Sequence, residues 1–383
     1  MKLAELTQLA KVNPDAAAQG VLQFVQQQFP DLQIKRVQIN QSAISLNSVN
    51  GFLTDQTGRE YFFKFHAEEN EQTTIDEYYN TQVLVNVGLP VVQPLYQSTV
   101  PGSQFLIYEK ITAPTAFDLF SQPELFFPAE RQLLQQVQQV YLHTLELTPI
   151  DQVAAASIFQ LFYHRLVGAQ PRVDLYYTNN PFFQKLADKT WVINGRAYPI
   201  TLNQIIAQAK RLLDPGHYPT QPTVIGHGDD HNGNKFYIGG RFKFFDPAFS
   251  GRQPALLSFV KATAHNSFAH PDWLYTPELL TEHGLNLKWK IVDDQVIVNH
   301  NWDMTTDRKR ELALQEELIW KPLIADLRNR GWLPADWQEY VRAALFCCPF
   351  LVYNLLDPKR YTETTSLLAL SKCVELSQYD CNY

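Results

Sequence analysis

Alternating apolar and polar positions dominate the first part of the chain. Apolar side chains at helical spacing predict a helix over 14–29, with Asn13 as its N-cap and Pro14 in its first turn. A second helix is predicted over 73–87, closed by Gly88. The predicted strands are 34–39, 43–49, 60–65 and 105–110, with turns at Asn50-Gly51 and Thr57-Gly58. This order predicts a small antiparallel sheet with one key helix.

Helical periodicity dominates the remainder of the chain. The predicted helices are 128–147, 152–167, 202–213, 305–330, 336–355 and 362–379. Two inserts, 171–200 and 280–303, each contain a predicted hairpin, one turning at Asn194-Gly195 and the other at Asp293-Asp294. The sequence assigns no role to these inserts. A sheet followed by helices indicates the α+β class.

The most informative segment is a loop of residues 227–234 with the sequence HGDDHNGN, called here the polar loop. Predicted strands flank it, and Asp246 closes an apolar strand twelve residues after the loop. Phosphoryl transfer needs a carboxylate that orients the attacking hydroxyl and accepts its proton, and oxygen ligands that hold magnesium against the phosphates. Asp229 suits the first role; Asn234 and Asp246 suit the second. A polar turn would explain the glycines, but not the convergence of these three groups.

The polar loop resembles the H-G-D-x-H-x-G-N loop of the aminoglycoside phosphotransferase and choline kinase group, and Asp246-Pro247-Ala248 is similar to fructosamine kinases. The resemblance covers roughly residues 40–260 and implies a protein kinase-like bilobal α+β fold. Residues 1–110 would form a nucleotide-binding lobe with a small antiparallel sheet, and residues 111–383 a larger, mainly helical lobe for catalysis and substrate binding. The implied reaction transfers the γ-phosphate of ATP, with Mg²⁺, to a hydroxyl of an amino sugar, amino alcohol, glycated amine or similar small metabolite.

The resemblance also implies roles for individual residues. Asp229 would be the base, and His227 would support the loop. The implied nucleotide contacts are Lys64 on the phosphates, Glu77 as its partner with Glu71 in reserve, Ser45 in the segment that replaces a Gly-rich loop, and the main chain of Tyr108 and Lys110 at the adenine.

Three features leave alternatives open. Lys64 could be a solubilising lysine at a strand edge rather than a cleft residue. Asp230 stands where relatives have an apolar residue, so it could contact metal or substrate, or it could face solvent. No acid stands near Ser258, where relatives often use one to brace the loop, so support must come from elsewhere or activity is impaired.

Composition narrows the function classes. At 383 residues the chain is long enough for two domains. A net charge of −7 disfavours nucleic acid and anionic membrane as partners, and no obligate protein partner is evident. The first residues lack the apolar core of a signal peptide, and the apolar run 343–352 is too short to span a bilayer. The four cysteines show no CxxC spacing, which favours reduced core thiols in a cytoplasmic protein.

A different class of function is a catalytically silent kinase relative that senses nucleotide or binds a partner. The missing acid near Ser258, the unusual Asp230 and the lack of a Gly-rich loop motivate this alternative. Retention of the base and both metal ligands argues against it, because loss of any one of them would cost orders of magnitude in rate. The stretch 246–254 is too short for the activation segment of a protein kinase.

Overall fold

The chain divides into two compact units in a computed structural model that describes residues 3–40, 49–65, 77–98, 100, 102–269 and 272–383. The first unit comprises Met1–Gln82 and Val91–Pro114 and is called the sheet unit. The second comprises Val83–Pro90 and Thr115–Tyr383 and is called the helical unit. The nucleotide-binding and catalytic roles predicted for the two parts of the chain stay predictions.

One antiparallel sheet forms the centre of the sheet unit. The elements in chain order are α1 (Leu3–Val12), α2 (Pro14–Gln28), β1 (Ile34–Ile39), β2 (Val49–Asp55), β3 (Glu60–Phe65), α3 (Glu77–Asn86, of which the last residues belong to the helical unit), β4 (Tyr96–Ser98) and β5 (Phe105–Glu109). The five strands lie in the order β1-β2-β3-β5-β4, and each neighbouring pair is antiparallel. The predicted N-cap of α2 is confirmed, since the Asn13 side chain accepts from the N–H of Ala16 at 3.1 Å.

Strand alternation separates the two faces of this sheet. Phe63 and Phe65 point into a core that they share with Phe105, and the ring centroids of Phe63 and Phe105 lie 5.4 Å apart. Helix α2 closes that core with Phe24. Since successive side chains of a strand point to opposite faces, Lys64 lies on the other face, and it is buried there. The alternative that Lys64 is an exposed strand-edge lysine is therefore wrong.

The turn predicted at Asn50-Gly51 is wrong. Both residues lie inside β2, where Asn50 pairs with Lys64 and Gly51 with Phe63. A Cβ atom on Gly51 would collide with the carbonyl of Gln38 on β1 and lie 2.9 Å from the Phe63 ring. The glycine thus marks a close approach of two strands rather than a turn. The predicted strand over 43–49 falls almost wholly outside the described residues.

The helical unit carries most of the chain. Its helices are α4 (Ala116–Leu119), α5 (Pro123–Thr144), α6 (Ile150–Val153), α7 (Tyr163–Val167), α8 (Pro181–Leu186), α9 (Leu202–Leu212), α10 (Val260–Ala262), α11 (Asp272–Tyr275), α12 (Leu279–Glu282), α13 (Thr306–Gln315), α14 (Lys321–Asn329), α15 (Trp337–Val352) and α16 (Glu363–Ser377). Its strands are β6 (Glu146–Pro149), β7 (Thr190–Ile193), β8 (Arg196–Tyr198), β9 (Thr220–Gly226), β10 (Lys235–Ile238), β11 (Arg241–Phe244), β12 (Gly251–Pro254), β13 (Leu287–Val292) and β14 (Gln295–His300). Short 3₁₀ and π turns fill several of the joins, including 157–161, 232–234 and 263–269.

The predicted α+β class, with an antiparallel sheet followed by a mainly helical part, is confirmed by this order of elements. The helix predicted over 152–167 is wrong as one element, because it breaks into α6, a 3₁₀ turn and α7. Apolar spacing alone did not reveal those breaks. Within the described ranges, none of the helices is long and apolar enough to cross a membrane. All four cysteines are buried and unpaired with one another, as predicted for core thiols.

The two inserts of unassigned role combine into one sheet. Both predicted hairpins are confirmed, as β7–β8 and β13–β14. Strand β14 pairs in parallel with β7, so the four strands follow the order β13-β14-β7-β8. The inward side chains Trp191 and Val298 are fully buried. The inserts are thus one structural addition, although they lie far apart in the sequence.

Two small sheets position the polar loop. Strand β9, which leads into the loop, is the middle strand of the antiparallel sheet β12-β9-β6. Strands β10 and β11 form a separate hairpin directly after the loop. The long helix α5 packs beside both β9 and β11. The loop therefore runs between two sheets that share one supporting helix.

Candidate active site

The polar loop begins where β9 meets β12, and two glycines permit that start. Gly226 pairs with Gly251 across the two strands. A Cβ on Gly226 would collide with the Ser258 hydroxyl and lie 2.6 Å from the Gln253 amide nitrogen. Gly228 has φ +78°, a conformation that L side chains rarely adopt. The chain can therefore turn sharply at Gly228 and present Asp229.

The β10–β11 hairpin brings Asn234 and Asp246 toward each other. Lys235 pairs with Phe244 at the open end of the hairpin. One residue further out, the N–H of Phe245 donates to the carbonyl of Asn234 at 2.8 Å. Asn234 and Asp246 thus lie at the same end of the hairpin. The pairing of β10 with β11 explains how these two predicted metal ligands come together although they are separated in the sequence.

His227 ties the loop to the same point. Its Nε2 lies 2.9 Å from the carbonyl oxygen of Phe245, and the N–H of Asp229 donates to its Nδ1 at 3.3 Å. One neutral tautomer, with the proton on Nε2, satisfies both bonds. The main chain of Phe245 is therefore held from both sides, by His227 and by Asn234. These contacts favour the supporting role proposed for His227.

The Asp229 main chain is fixed at both of its polar groups. In addition to the bond from its N–H to His227, its carbonyl accepts from the Asn234 side-chain nitrogen at 2.8 Å. That bond orients the Asn234 amide, so its oxygen is the atom directed away from Asp229. Loop geometry and the predicted metal ligand are thus coupled through a single side chain.

The Asp229 side chain meets a residue that the sequence did not predict. The Nζ of Lys261, on α10, lies 2.7 Å from Asp229 Oδ1, and both side chains are largely buried. Burial by itself would raise the pKa of Asp229, but the charge of Lys261 holds that pKa well below its ordinary value. Asp229 is therefore ionised at neutral pH, the form that can accept a proton.

His231 lies beside the carboxylate as a neutral ring. Its Nδ1 accepts from the N–H of Gly233 at 3.1 Å, so the proton lies on Nε2, which is 3.9 Å from Asp229 Oδ1. Burial lowers the pKa of His231 to about 4. The ring of Phe117 on α4 stacks over it at 6.0 Å. Lys261, not His231, is therefore the positive charge next to Asp229.

Asp230 points away from solvent, which excludes the solvent-facing alternative. Its side chain is buried, and burial raises its pKa to about 7 even though Lys235 opposes this shift. Lys235 itself forms a buried ion pair with Glu130 of α5, with Nζ 2.8 Å from both carboxylate oxygens. The second acid of the loop thus lies near the buried Lys235–Glu130 pair, which anchors β10 on α5.

Support for the loop comes from residues other than an acid near Ser258. The Ser258 hydroxyl donates to the Tyr141 hydroxyl at 2.6 Å and accepts from Gln253 at 2.9 Å. On the other side, the N–H of Asn232 donates to the Asn266 side-chain oxygen at 2.8 Å. The Asn232 side-chain nitrogen donates to Glu311 of α13 at 3.1 Å. The loop is therefore braced at Asn232 by the amide of Asn266 and the carboxyl group of Glu311, which is far from Ser258 in the sequence.

The predicted nucleotide contacts belong to the sheet unit. Lys64 lies on β3 and is buried. Tyr108 lies near the end of β5, directly after Ile107, which is the last residue of β5 that pairs with β4. The N–H of Lys110 donates to the Glu60 carbonyl at 3.3 Å, so the predicted adenine contact of Lys110 depends on its carbonyl oxygen. Glu77 begins helix α3, but its side chain, like Ser45 and Glu71 as a whole, lies outside the described residues. These assignments stay predictions.

Oxygen donors of the kind that Mg²⁺ prefers are present at the end of the hairpin. Mg²⁺ is usually bound through one or two carboxylates together with substrate phosphates, rather than by a complete protein cage. Asp246 supplies a carboxylate and Asn234 an amide oxygen, which fits that pattern. Over the part of the chain that the structure describes, no group of three or more His, Cys, Asp or Glu side chains is arranged to hold a metal ion.

Sequence reasoning missed the buried charges around the polar loop. Lys261 interrupts an apolar stretch, 255–264, in which the other residues are apolar or small. A lone lysine in such a stretch needs a buried partner. The sequence carried that signal, but it could not identify Asp229 as the partner. Glu130 in the apolar face of α5 carried the same signal for Lys235.

Comparisons with known proteins find similarity at the level of fold. No family model matches the chain, and no curated protein matches its sequence. A solved amicoumacin kinase in complex with AMP-PNP and Ca²⁺ is 14% identical, with 94% of this chain and 93% of that chain covered and a TM-score of 0.46. A choline kinase from Cryptosporidium parvum is 8% identical, with 94% of each chain covered and a TM-score of 0.45. An aminoglycoside phosphotransferase in apo form is 12% identical, with 93% and 98% covered and a TM-score of 0.41. These similarities assign neither a family nor a substrate to this chain.

Proposed function

We propose that the chain is a small-molecule kinase that transfers the γ-phosphate of ATP to a hydroxyl group. The observation that supports this most directly is the arrangement around Phe245, whose two main-chain groups bind Asn234 and His227. That arrangement holds the proposed base and the proposed metal ligands in one connected structure. A polar turn without chemistry would not require it.

Three residues of the polar loop then have a chemical task. Asp229 receives the acceptor hydroxyl and takes its proton as the new oxygen–phosphorus bond forms and the bond to the β–γ bridging oxygen breaks. His227 and Asn234 keep the Asp229 main chain in place. Asn234 and Asp246 would hold Mg²⁺, which supplies positive charge to the phosphates when bound. Lys64, with Glu77, would position the α- and β-phosphates, as the resemblance of the polar loop implies.

Candidate acceptors follow from the resemblance of the polar loop. They are amino sugars, amino alcohols, glycated amines and related hydroxyl compounds. The test is transfer of phosphate from γ-labelled ATP across these classes, with ADP release in the absence of acceptor measured alongside. Turnover that depends on the polar loop would support the proposal for whichever class reacts.

Replacing Asp229→Asn is the decisive variant. The amide has nearly the same shape but cannot take a proton, so we expect turnover to fall by about 10²–10⁴-fold. The matched control is Asp303→Asn. Asp303 is an exposed acid, and its carboxylate lies 2.6 Å from the Nζ of Lys309 in an ion pair that involves no residue of the polar loop. Turnover that survives Asp229→Asn unchanged would contradict the proposed base.

The silent alternative makes a different prediction. A nucleotide-sensing module would show thermal stabilisation by magnesium–ATP, with no ADP release and no labelled product from any acceptor class. Retention of Asp229, Asn234 and Asp246 together favours the enzyme, because loss of any one of them would cost orders of magnitude in rate and a module without turnover would not have to keep all three.

A further inference from the structure

Lys261 is a buried lysine in contact with the proposed base. It lies on the short helix α10, and only 7% of its side chain is exposed. Its Nζ is 2.7 Å from Asp229 Oδ1. A buried ammonium group is costly unless a counter-charge accompanies it, and the Asp229 carboxylate supplies that charge. The two side chains therefore hold each other in place.

The two oxygens of the Asp229 carboxylate have different surroundings. Oδ1 faces Lys261 and has almost no accessible surface. The side chain as a whole is 14% exposed, so its exposed part excludes Oδ1. A hydroxyl that gives its proton to Asp229 has to come within about 3 Å of the accepting oxygen. Oδ2 is therefore the oxygen that an incoming hydroxyl can reach.

A second contact holds the segment that carries Lys261 against the polar loop. Asn266 lies in the π turn that follows α10, and its side-chain oxygen accepts from the N–H of Asn232 at 2.8 Å. Asp229 and Asn232 are three residues apart in the polar loop, so one segment binds the loop at two points. The backbone contact at Asn232 fixes the loop, and the contact of Lys261 acts on the carboxylate itself.

We propose that Lys261 is a positioning residue, which holds Oδ1 of Asp229 so that Oδ2 receives the proton of the attacking hydroxyl. This inference rests on the proposed kinase function and identifies the oxygen that acts as the base. The terminal torsion of an aspartate side chain is broad, so a carboxylate without a partner samples many orientations. The ion pair with Lys261 restricts that torsion and keeps the accepting oxygen in one orientation.

The chemical step leaves Lys261 unchanged. The acceptor oxygen forms a bond to the γ-phosphorus while the bond between that phosphorus and the bridging oxygen breaks, and ADP leaves with the electron pair of the broken bond. The proton of the acceptor hydroxyl passes to Asp229 Oδ2. Lys261 stays protonated and paired with Oδ1, so it acts through Asp229 and contacts neither the acceptor nor the phosphates.

Substitutions of Lys261 test this role. Lys261→Met removes the charge and keeps an unbranched side chain of similar length. We expect kcat for ADP release from magnesium–ATP, with water as the acceptor, to fall by about 100-fold, because the base oxygen is no longer held in place. KM for magnesium–ATP should stay within about threefold of the wild-type value, since the lost interaction does not involve the nucleotide. Lys261→Arg keeps the charge and should retain kcat within about tenfold of wild type.

Lys309→Met is the matched control. It removes an exposed lysine that pairs with Asp303 and contacts no residue of the polar loop. Exposed ion pairs contribute little to stability, so this variant should leave kcat, KM and thermal unfolding unchanged.

A double-mutant cycle tests whether Lys261 acts through Asp229. Asp229→Asn alone should lower turnover by about 10²–10⁴-fold. If Lys261 acts only by holding the carboxylate, adding Lys261→Met to Asp229→Asn should change turnover by less than about threefold. A lysine with a separate structural task would add its own loss of about 100-fold. The cycle is measured with γ-labelled ATP, and uncatalysed hydrolysis is subtracted.

Thermal unfolding of the same proteins, with and without magnesium–AMP-PNP, checks that they fold. Lys261→Met leaves the Asp229 carboxylate without its counter-charge, so we expect a lower Tm, which the added Asp229→Asn should raise again. If Lys261→Met shows no thermal transition, Lys261→Gln replaces it as the neutral variant.

Three results would overturn the inference alone. They are a kcat of Lys261→Met within about threefold of wild type, an effect on KM in place of kcat, and additive losses in the cycle. A wild-type chain with no turnover that depends on Asp229 would overturn the proposed function and this inference together.

Discussion

At the scale of single residues, the proposed metal ligand Asp246 has an unusual backbone conformation. Its φ is +54°, in the left-handed region that most side chains avoid. Asp and Asn are the non-glycine residues that tolerate this region best, because their short side chains can bond locally. A rare backbone conformation costs free energy. At Asp246 the hydrogen bonds of the neighbouring Phe245 main chain, to His227 and to Asn234, help to hold it.

Three substitutions at Asp246 separate its backbone role from its charge. Asp246→Asn should change the free energy of unfolding by less than about 0.5 kcal/mol, while turnover falls at least about 100-fold because the carboxylate is lost. Asp246→Gly should keep stability within a similar range. Asp246→Ala should lose about 1–2 kcal/mol from the left-handed backbone.

Urea unfolding and ADP release, measured on the same preparations, check these values. If Asp246→Asn retains wild-type turnover, Asp246 is not a metal ligand. A loss of stability in Asp246→Asn as large as in Asp246→Ala would show that its carboxylate, rather than its backbone conformation, holds the turn.

At the scale of elements, a buried ion pair joins the hairpin β10–β11 to α5. Lys235 begins β10, and its Nζ binds both oxygens of Glu130 in the middle of α5. Since both side chains are almost fully buried, neither can find water if its partner is lost. The pair therefore fixes the hairpin, and with it Asn234 and Asp246, on the long helix.

Lys235→Met should be strongly destabilising, by about 3–5 kcal/mol, because it leaves Glu130 charged and buried. The double variant Glu130→Leu with Lys235→Met should recover most of that loss, since two apolar side chains remove the uncompensated charge. Denaturant unfolding of the two single variants and the double variant measures the coupling.

The exposed pair of Arg131 and Glu317, 3.0 Å apart, offers a matched control. Its removal should change stability by less than about 1 kcal/mol. Strictly additive effects of Glu130→Leu and Lys235→Met would contradict a direct role of the buried pair in fixing the hairpin.

What the sequence could predict differs by element. Strand β1 and both insert hairpins were predicted from alternation and turn residues, because those signals are local. Gly51 was misread as a turn because its cause, the approach of the Gln38 carbonyl, comes from a different strand. The polar loop could be predicted because its chemistry lies within one short segment. Lys261 and Glu130 could not be assigned, because their partners become neighbours only in the folded chain.

At the scale of the whole molecule, buried acids link stability to pH. Asp230 has a pKa of about 7 in the folded chain because burial disfavours its charge. Glu311, which accepts a hydrogen bond from Asn232, also has a raised pKa, again through burial first and the nearby Glu130 second. An unfolded chain would ionise both near pH 4. The folded state therefore holds protons that the unfolded state has already lost between about pH 4 and pH 7.

The sign of the effect follows from that difference. Where the folded state binds more protons than the unfolded state, stability falls as pH rises. Asp230 therefore lowers the free energy of unfolding progressively between about pH 4 and pH 7, and the loss is complete above about pH 7. His231 has the opposite effect. Its pKa is about 4 in the folded chain and about 6.5 in the unfolded chain, so the free energy of unfolding rises with pH between those two values. A comparison of wild type with a variant of Asp230 cancels the shared contribution of His231.

We therefore compare the free energy of unfolding of Asp230→Asn with that of wild type. The advantage of the variant should be larger at pH 8 than at pH 4.5, by on the order of 3 kcal/mol. The neutral amide keeps the shape of the side chain and does not have to lose a proton in a buried position. Urea unfolding at several pH values measures the gain. Asp303→Asn is the control, because a hydrogen bond from Lys309 lowers the pKa of that exposed acid and its contribution has the opposite sign. Parallel pH profiles for wild type and Asp230→Asn would show that Asp230 is ionised in the folded chain throughout, and that Lys235 compensates its burial completely.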